Sequence, residues 1–284
     1  MKALSDFSPD LSRVPYTHNG SQSLPAELHG AIMLLGNFDG LHRGHGELVA
    51  TGLEISRQRG APLAMLQCDP HPRAYFSGAS RFRVSTGLAQ TRLLAAAGIE
   101  LIYAPRFDEA FAALTPDEFI LDNLTGQLGI GGIVVGRDFR FGCRRRGDVV
   151  LLQHHAERQG FSLNIIDDQI SDGRRISTSS VRAAILAGDI GLATRLMGHA
   201  WLTQIYANDG AGWSFAGDQL LPPTGEWPVA ALDRAGEHVA YALVEICKGG
   251  HVSAKLPEKT ALLKWLPTAK TQFAEHTEGR DAYA

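Results

Sequence analysis

The chain has few cysteines and little net charge, and each of these features excludes some classes of protein. Cys68, Cys143 and Cys247 are the three cysteines in 284 residues, too scattered and too odd in number for a disulfide framework. We therefore predict reduced thiols and a cytoplasmic protein. A formal net charge of −3 gives no overall reason to expect nucleic acid as a partner.

Long hydrophobic runs are also missing from the sequence. The stretch AIMLLG, which begins at Ala31, is far shorter than the roughly 20 residues that span a bilayer. No basic segment with a cleavage site precedes it, so we expect neither a membrane partner nor a secretory signal. Internal repeats and low-complexity tracts are absent, and 44% hydrophobic residues with 20% charged residues are typical of a globular protein.

Hydrophobic strand patterns alternate with helical patterns along the first two thirds of the chain. The predicted strands cover residues 30–36, 62–68, 99–105, 131–136 and 161–167. The best helix start lies at Thr115, followed by Pro116 and, three positions after the cap, Glu118. This alternation predicts an α/β fold, a Rossmann-like doubly wound parallel sheet that binds ligands at the carboxyl ends of its strands.

After His199 the sequence changes to short strand patterns separated by glycine and aspartate turns. All four tryptophans lie at or after Trp201, which favours a packed unit over a disordered tail. We predict a lead-in at 1–28, an α/β domain at 29–199 and a small β-barrel-like domain at 200–284. The last domain is expected to end in one helix around TALLKWL.

The first predicted strand ends in the motif GNFDGLHRGH, residues 36–45. Its glycines let the backbone approach a ligand, and the helix that follows presents free N–H groups and a positive dipole end. His42 and His45 are three residues apart on one helix face, which gathers donors for a polyphosphate. The alternatives are a structural pair or a metal pair, although zinc would need further ligands that the sequence does not offer at suitable spacing.

This motif resembles that of the HIGH-type nucleotidyltransferase superfamily, and three further segments narrow the resemblance. They are DPHPRAYF at 69–76, VVGRDFRFGCRRRGD at 134–148 and RISTSSVRAAILAGDIGLATRLMGHAW at 175–201. In this order they resemble the bacterial FAD synthetase module, which is usually fused to riboflavin kinase. The resemblance implies transfer of AMP from ATP to FMN, with FAD and pyrophosphate as products.

The resemblance also implies a set of site residues and ligands. The catalytic residues would be His42, His45, Arg175, Ser177, Thr178 and Ser179. The residues that bind ATP and FMN would be Gly36, Asn37, Phe38, Asp39, Gly40, Asp69, His71, Asp138 and Arg182. Mg²⁺ would be carried mainly by phosphates and waters, so no dedicated metal site is expected.

Two positions depart from the family pattern. Cys68 stands where a phenylalanine often precedes the acidic residue, and Ser180 stands where the family usually has an arginine. They leave open a nucleotidyltransferase with a different acceptor, or a flavin- or ATP-binding protein without turnover. The arginines of VVGRDFRFGCRRRGD either guide anionic substrates or form a solvated loop face.

The C-terminal domain lacks the riboflavin kinase signature Gly-Phe-Pro-Thr-Ala-Asn. The segment LPPTGEWPVAAL at 221–232 nevertheless resembles a later part of that kinase. We therefore predict a degenerate riboflavin-kinase-like domain without kinase activity, which supports the first domain or covers its flavin site.

Overall fold

The computed structural model describes residues 14–167, 170–171, 174–208 and 212–267, with the backbone alone at 170–171 and 174–175. The strands are β1 (Tyr16–His18), β2 (Ile32–Leu35), β3 (Leu63–Leu66), β4 (Leu101–Tyr103), β5 (Gly132–Gly136), β6 (Ser162–Ile166), β7 (Ile170–Ser171), β8 (Arg174–Arg175), β9 (Leu202–Gln204), β10 (Tyr206–Ala207), β11 (Trp213–Ser214), β12 (Gly225–Leu232), β13 (His238–Ile246), β14 (Val252–Ala254) and β15 (Leu262–Trp265). The α-helices are α1 (Gly46–Arg59), α2 (Pro72–Ser77), α3 (Gly87–Ala96), α4 (Glu109–Ala113), α5 (Pro116–Glu118), α6 (Val149–Gln159), α7 (Thr178–Leu186) and α8 (Ile190–Met197).

The first sheet has six parallel strands in the order β1-β4-β3-β2-β5-β6. It confirms the doubly wound fold, and β2 to β6 confirm the five predicted strands. The chain winds outward from β2 through β3 to β4, then returns to the other side of β2 with β5. The switch point therefore lies between β2 and β5, where open parallel sheets bind their ligands.

The burial of strand β2 explains why its own sequence is a continuous hydrophobic run. Its four residues are fully buried and point alternately to opposite faces of the sheet. Ile32 and Leu34 join one hydrophobic cluster, whereas Met33 and Leu35 join another. Both faces are covered, so no polar residue interrupts the strand.

Part of the predicted lead-in belongs to this sheet. Tyr16–His18 form β1 and pair in parallel with Leu101–Tyr103 of β4. In the part of the chain that the structure describes, the first strand therefore precedes the start at residue 29 that we predicted for the α/β domain. A three-residue edge strand is too short to produce a recognisable periodic pattern in sequence.

The helix start predicted at Thr115 is confirmed by a complete capping box. The Thr115 hydroxyl accepts from the Glu118 N–H at 3.2 Å, and the Glu118 carboxylate accepts from the Thr115 N–H at 2.7 Å. After α5 the chain continues as a π-helix over Phe119–Gln127. Asp148 likewise caps α6, through its carboxylate and the N–H groups of Val150 and Leu151.

The second sheet has seven antiparallel strands in the order β10-β11-β14-β13-β12-β15-β9. Its edge strands β9 and β10 are separated in the chain by Ile205 alone, so the sheet curls into a nearly closed barrel. The helix expected around TALLKWL is wrong, because Leu262–Trp265 form β15 between β12 and β9. A short apolar run does not distinguish helix from strand, and here the two neighbouring strands supply the backbone partners.

A segment of the first unit is packed into the core of the barrel. We call Phe82–Thr86 the strap; it is the last part of the connection between α2 and α3. Val84 of the strap shares a hydrophobic cluster with Trp201 and Trp265, whose rings stack at 4.8 Å. The boundary at residue 199 remains a prediction, since residues of α7 and α8 belong to the same cluster. In the part of the chain that the structure describes, no helix has the length and hydrophobicity of a membrane span.

Candidate active site at the carboxyl end of the parallel sheet

A cavity of about 770 Å³ opens at the carboxyl ends of β2, β3, β5 and β6 of the parallel sheet. Asn37 follows β2, Cys68 follows β3, Asp138 follows β5 and Asp167 follows β6, and all four line the cavity. Gly36, Phe38, Asp39, His42, His45 and His71, all predicted site residues, also line it. The cavity therefore occupies the switch point that the strand order defines.

His42 and His45 form a stacked pair in the wall of the cavity. Their ring centroids are 3.7 Å apart at an interplanar angle of 18°, and His45 also contacts Phe38 at 4.8 Å. A short 3₁₀ turn, Arg43–His45, precedes α1, so the pair stands just before the α-helix instead of within its first turn. Both residues are buried, and the two imidazoles face the same space.

Gly44 between the two histidines permits a close approach of the second half of the site. A Cβ atom added there would lie 2.9 Å from the Ile176 carbonyl oxygen and 3.0 Å from the His42 ring. Because contacts under about 3.0 Å do not persist, any side chain at this position would separate the two segments.

The start of α7 supplies that second half. Thr178 donates from its hydroxyl to the Asn37 carbonyl oxygen at 3.3 Å, which joins positions 141 residues apart in the chain. Ser177 caps α7 by accepting from the Ser180 N–H at 3.2 Å, and the two serine hydroxyls are 3.0 Å apart. Ser177, Thr178 and Ser179 line the cavity, so the start of α7, where helix N–H groups lack partners within the helix, lies at its edge.

Arg73 brings a positive charge to this end of the cavity. Its guanidinium donates to the Ser179 hydroxyl at 3.2 Å, and the residue lines the cavity. Ser180, the neighbouring residue, stands where the resemblance leads us to expect arginine. A positive charge is therefore present close to Ser180, supplied by Arg73 in the first turn of α2.

Asp39 and Arg182 form a buried ion pair behind the histidine motif. Their closest atoms are 2.8 Å apart, and their side chains are 4% and 9% exposed. The Asp39 carboxylate also accepts from the N–H groups of Val84 and Ser85. Burial raises the pKa of the Asp39 carboxyl, while Arg182 and the two N–H groups oppose that rise. Arg182 is not among the described residues that line the cavity.

Three other predicted site residues are placed differently. Asp69 lies 2.9 Å from Arg83 and opens onto a neighbouring cavity of about 300 Å³. Gly40, at a φ of 84°, packs so tightly against Val84 that an added Cβ would be 2.7 Å from its Cγ1. Arg175 lies in β8, and its side chain is outside the part of the chain that the structure describes.

His71 connects two loops of the site as a neutral side chain. Its Nδ1 accepts from the Arg73 N–H at 3.1 Å, which leaves Nε2–H to donate to the Asn37 side-chain oxygen at 2.7 Å. Burial, reinforced by the charges of Arg182, Arg83 and Arg73, lowers the pKa of His71 to about 3. The neutral ring therefore anchors Asn37 throughout the physiological pH range.

The low pKa of His71 predicts a specific pH dependence of stability. The unfolded chain takes up a proton at this residue near pH 6.5, whereas the folded protein does so only near pH 3, so protonation favours unfolding. We expect the free energy of unfolding to fall as the pH decreases from 6.5 towards 3, and to fall less in His71→Gln. Urea denaturation of both proteins at several pH values measures the difference. Parallel pH profiles would contradict the assignment.

Aromatic side chains form a wall of the same cavity. They make a continuous series of ring contacts with centroid distances of 5.6 to 6.1 Å and comprise Phe76, Phe107, Phe111, Phe119, Phe141 and Phe139. All six line the cavity. Phe141 also belongs to the core of the first unit and Phe139 packs against it. Such a wall suits a planar aromatic ligand, because stacking adds to the gain from burying apolar surface.

Cys68 is inert in this setting. Burial raises the pKa of its thiol to about 12, so the thiolate that a nucleophile requires is not formed at neutral pH. The residue contributes to the cavity wall at the position where the family often has phenylalanine.

The sequence patterns do not single out three residues that hold the site. Arg73 contacts Ser179, Gln219 contacts the strap, and His199 Nε2 lies 3.1 Å and 3.2 Å from the carbonyl oxygens of Gly40 and Leu41. His199 lies inside a segment that resembles the family, RISTSSVRAAILAGDIGLATRLMGHAW. Arg73 likewise lies inside the family-like segment DPHPRAYF, whereas Gln219 has no local pattern, because its role depends on a contact between distant segments.

The doubly wound sheet and the cavity at its switch point define a Rossmann-like α/β protein with a candidate ligand site at the carboxyl ends of its strands. The family model described as FAD synthetase matches residues 24–180, more than half of the chain. The chain therefore belongs to the FAD synthetase family.

Curated relatives agree with this family. The bifunctional riboflavin kinase/FMN adenylyltransferase of Escherichia coli (strain K12) is 38% identical over 183 residues, which are 64% of this chain and 58% of that protein. The chain thus matches less than two thirds of that relative's length. A putative bifunctional riboflavin kinase/FMN adenylyltransferase of Geobacillus thermodenitrificans (strain NG80-2) is 37% identical over 184 residues, 64% of this chain and 96% of that one.

A solved structure extends the likeness in fold to the C-terminal barrel. It is described as a macrolide-efflux protein from Streptococcus pneumoniae and superposes with a TM-score of 0.73 at 18% identity. The superposition covers 95% of this chain and 100% of that one. At this identity the likeness concerns the fold alone: a parallel α/β unit followed by a barrel-like antiparallel sheet.

Proposed function

We propose that this chain is an FMN adenylyltransferase, which transfers AMP from ATP to FMN and releases pyrophosphate. One observation carries the proposal: the stacked pair His42–His45 and the start of α7 meet in a cavity that also has an aromatic wall. The first two features suit phosphates, and the wall suits a flavin ring. Membership of the FAD synthetase family supports the same reaction.

The chemistry requires positioning and charge stabilisation, with no covalent protein intermediate. An oxygen of the FMN phosphate attacks the α-phosphorus of ATP, and one new P–O bond forms as the bond to the β-phosphate oxygen breaks. Negative charge grows on the departing pyrophosphate. In this proposal His42, His45, the hydroxyls at the start of α7 and the guanidinium of Arg73 hold phosphate oxygens in that state, and all these residues line the cavity.

Mg²⁺ fits this site as an ion carried by the substrate. Within the described residues, no group of three or more His, Cys, Asp or Glu side chains is arranged to hold a metal. The Asp39 carboxylate is paired with Arg182, and Asp138 and Asp167 line the cavity. A bound Mg²⁺ would neutralise part of the triphosphate charge, and phosphates and waters would supply most of its ligands.

We further propose that the barrel has no riboflavin kinase activity. The sequence lacks the signature that holds the kinase's nucleotide, and the connection from β11 to β12 instead supplies Asp218 and Gln219 to the strap. The barrel is in this view a supporting unit of the first domain, and the division at residues 199 and 200 belongs to the same proposal.

The proposal predicts two results with purified protein. With ATP, Mg²⁺ and FMN, FAD and pyrophosphate should form in equal amounts, whereas riboflavin with ATP should yield no FMN. Chromatography with flavin fluorescence detects all three flavins. A panel of riboflavin, nicotinamide mononucleotide and phosphopantetheine as acceptors, with ATP or CTP as donor, provides the control. Pyrophosphate release with another acceptor alone would reassign the substrate, and formation of FMN would contradict the loss of kinase activity.

A further inference from the structure

The strap, Phe82–Thr86, is held on one side by the C-terminal unit. The N–H groups of Phe82 and Arg83 donate to the Asp218 carbonyl oxygen at 2.9 Å and 2.8 Å. The Leu220 N–H donates to the Arg83 carbonyl oxygen at 2.8 Å. These backbone bonds attach the strap to the connection between β11 and β12 as an additional extended segment.

Gln219 is the side chain at the centre of this attachment. It is fully buried, and its Nε2 lies 3.2 Å from the Arg83 carbonyl oxygen and 3.1 Å from that of Val84. Its Oε1 accepts from the Thr86 hydroxyl at 2.7 Å. A buried amide with partners on both of its polar atoms fixes the strap in position and orientation, because each lost bond would leave a buried polar group unsatisfied.

The other side of the strap holds the loop that carries the histidine motif. The Val84 N–H lies 2.9 Å and 3.0 Å from the two carboxylate oxygens of Asp39, and the Ser85 N–H lies 3.3 Å from one of them. Gly40 packs directly on the Val84 side chain. His42 lies two residues after Gly40 in the chain. Contacts from the barrel thus reach the edge of the cavity through a single peptide segment.

We propose that Gln219 is a positioning residue, and that the barrel fixes the geometry of the histidine loop through Gln219 and the strap. The inference rests on the proposed adenylyl transfer for its activity measurements. It gives the barrel a role in that reaction which needs no ligand of its own. Catalysis by positioned donors is sensitive to displacements of about 1 Å. Loss of the contacts between Gln219 and the strap therefore lowers kcat more than it weakens substrate binding.

The test compares three substitutions in the full chain. Gln219→Met keeps the side-chain length and removes the polar atoms; Thr86→Val is milder and removes one bond to Gln219. Gln204→Met is the matched control, because Gln204 also bridges barrel and first unit, accepting from the Leu88 N–H at 2.6 Å outside the strap.

We expect kcat for FAD formation to fall about tenfold or more in Gln219→Met, with KM for ATP and FMN changing far less. Gln204→Met should lose thermal stability but keep its kcat.

Hydrogen exchange without substrate provides a second measurement. Amides of residues 36–41 should exchange faster in Gln219→Met and Thr86→Val but not in Gln204→Met. If Gln219→Met does not fold, the decision rests on Thr86→Val. The proposal is overturned if the deciding variant has both an unchanged kcat and an unchanged amide exchange at residues 36–41. An equal loss of kcat in Gln204→Met also overturns it, since that result indicates general loosening of the interface. Absence of FAD formation by the unmodified protein rejects the proposed function alone, because the exchange measurement still reports on the bracing.

Discussion

Replacing His45 with alanine is expected to lower kcat for FAD formation about 100- to 1000-fold, as does loss of one donor from a preorganised anion site. The same result is expected for His42→Ala, because the two stacked rings line the same part of the cavity. The donors matter most when charge builds on the pyrophosphate, so kcat should fall much more than affinity for ATP. Steady-state kinetics with both substrates varied measures the effect.

A matched control is available elsewhere in the chain. His155 in α6 is also buried and contacts Asp117 at 2.7 Å, but it lies outside the cavity. His155→Ala should therefore reduce the thermal midpoint while kcat stays near that of the unmodified protein. If His45→Ala lost no more activity than His155→Ala, the histidine pair would be structural and the central assignment would fail.

Replacing Asp39 with alanine is expected to lower the free energy of unfolding by about 3–5 kcal/mol, the usual cost of removing one partner from a buried ion pair. Arg182 would keep a buried charge without its counter-ion, and the N–H groups of Val84 and Ser85 would lose their acceptor. Denaturation in urea, followed by fluorescence of the four tryptophans, measures the loss.

A double-mutant cycle distinguishes the pair from its separate residues. The combination of Asp39→Ala with Arg182→Ala should cost clearly less than the sum of the single changes, because neither charge is then buried alone. Asp167→Ala is the control, since Asp167 pairs with Arg137 at the surface and should contribute little. Additive losses in the cycle would show that the two buried groups do not depend on each other.

Much of the first unit follows from local sequence. The strands are continuous hydrophobic runs because both faces of the sheet are covered, and Thr115 and Asp148 mark helix starts through side chains that bond to nearby N–H groups. The histidine motif is equally local, and its place after β2 indicates its position at the sheet edge.

Local patterns fail where a distant segment supplies the partner. The run TALLKWL gives no periodicity that separates helix from strand, and it becomes β15 because β12 and β9 offer backbone partners on both sides. Tyr16–His18 likewise become a strand only through β4. The ion pairs of Asp69 with Arg83 and of Arg182 with Asp39 could not be predicted from local patterns either, and the ligand contacts of Asp69 and Arg182 stay predictions.

The sequence by itself determined the alternating α/β plan and the order of the two segments that we propose bind phosphate, because helix caps, strand runs and glycine turns are local properties. The tertiary structure decided which side chains meet. It brought Thr178 to Asn37, Arg73 to Ser179 and the barrel's Gln219 to the strap. These contacts join residues 106 to 141 positions apart. Long-range pairs of this kind depend on the packing of the whole chain, which no window of sequence contains.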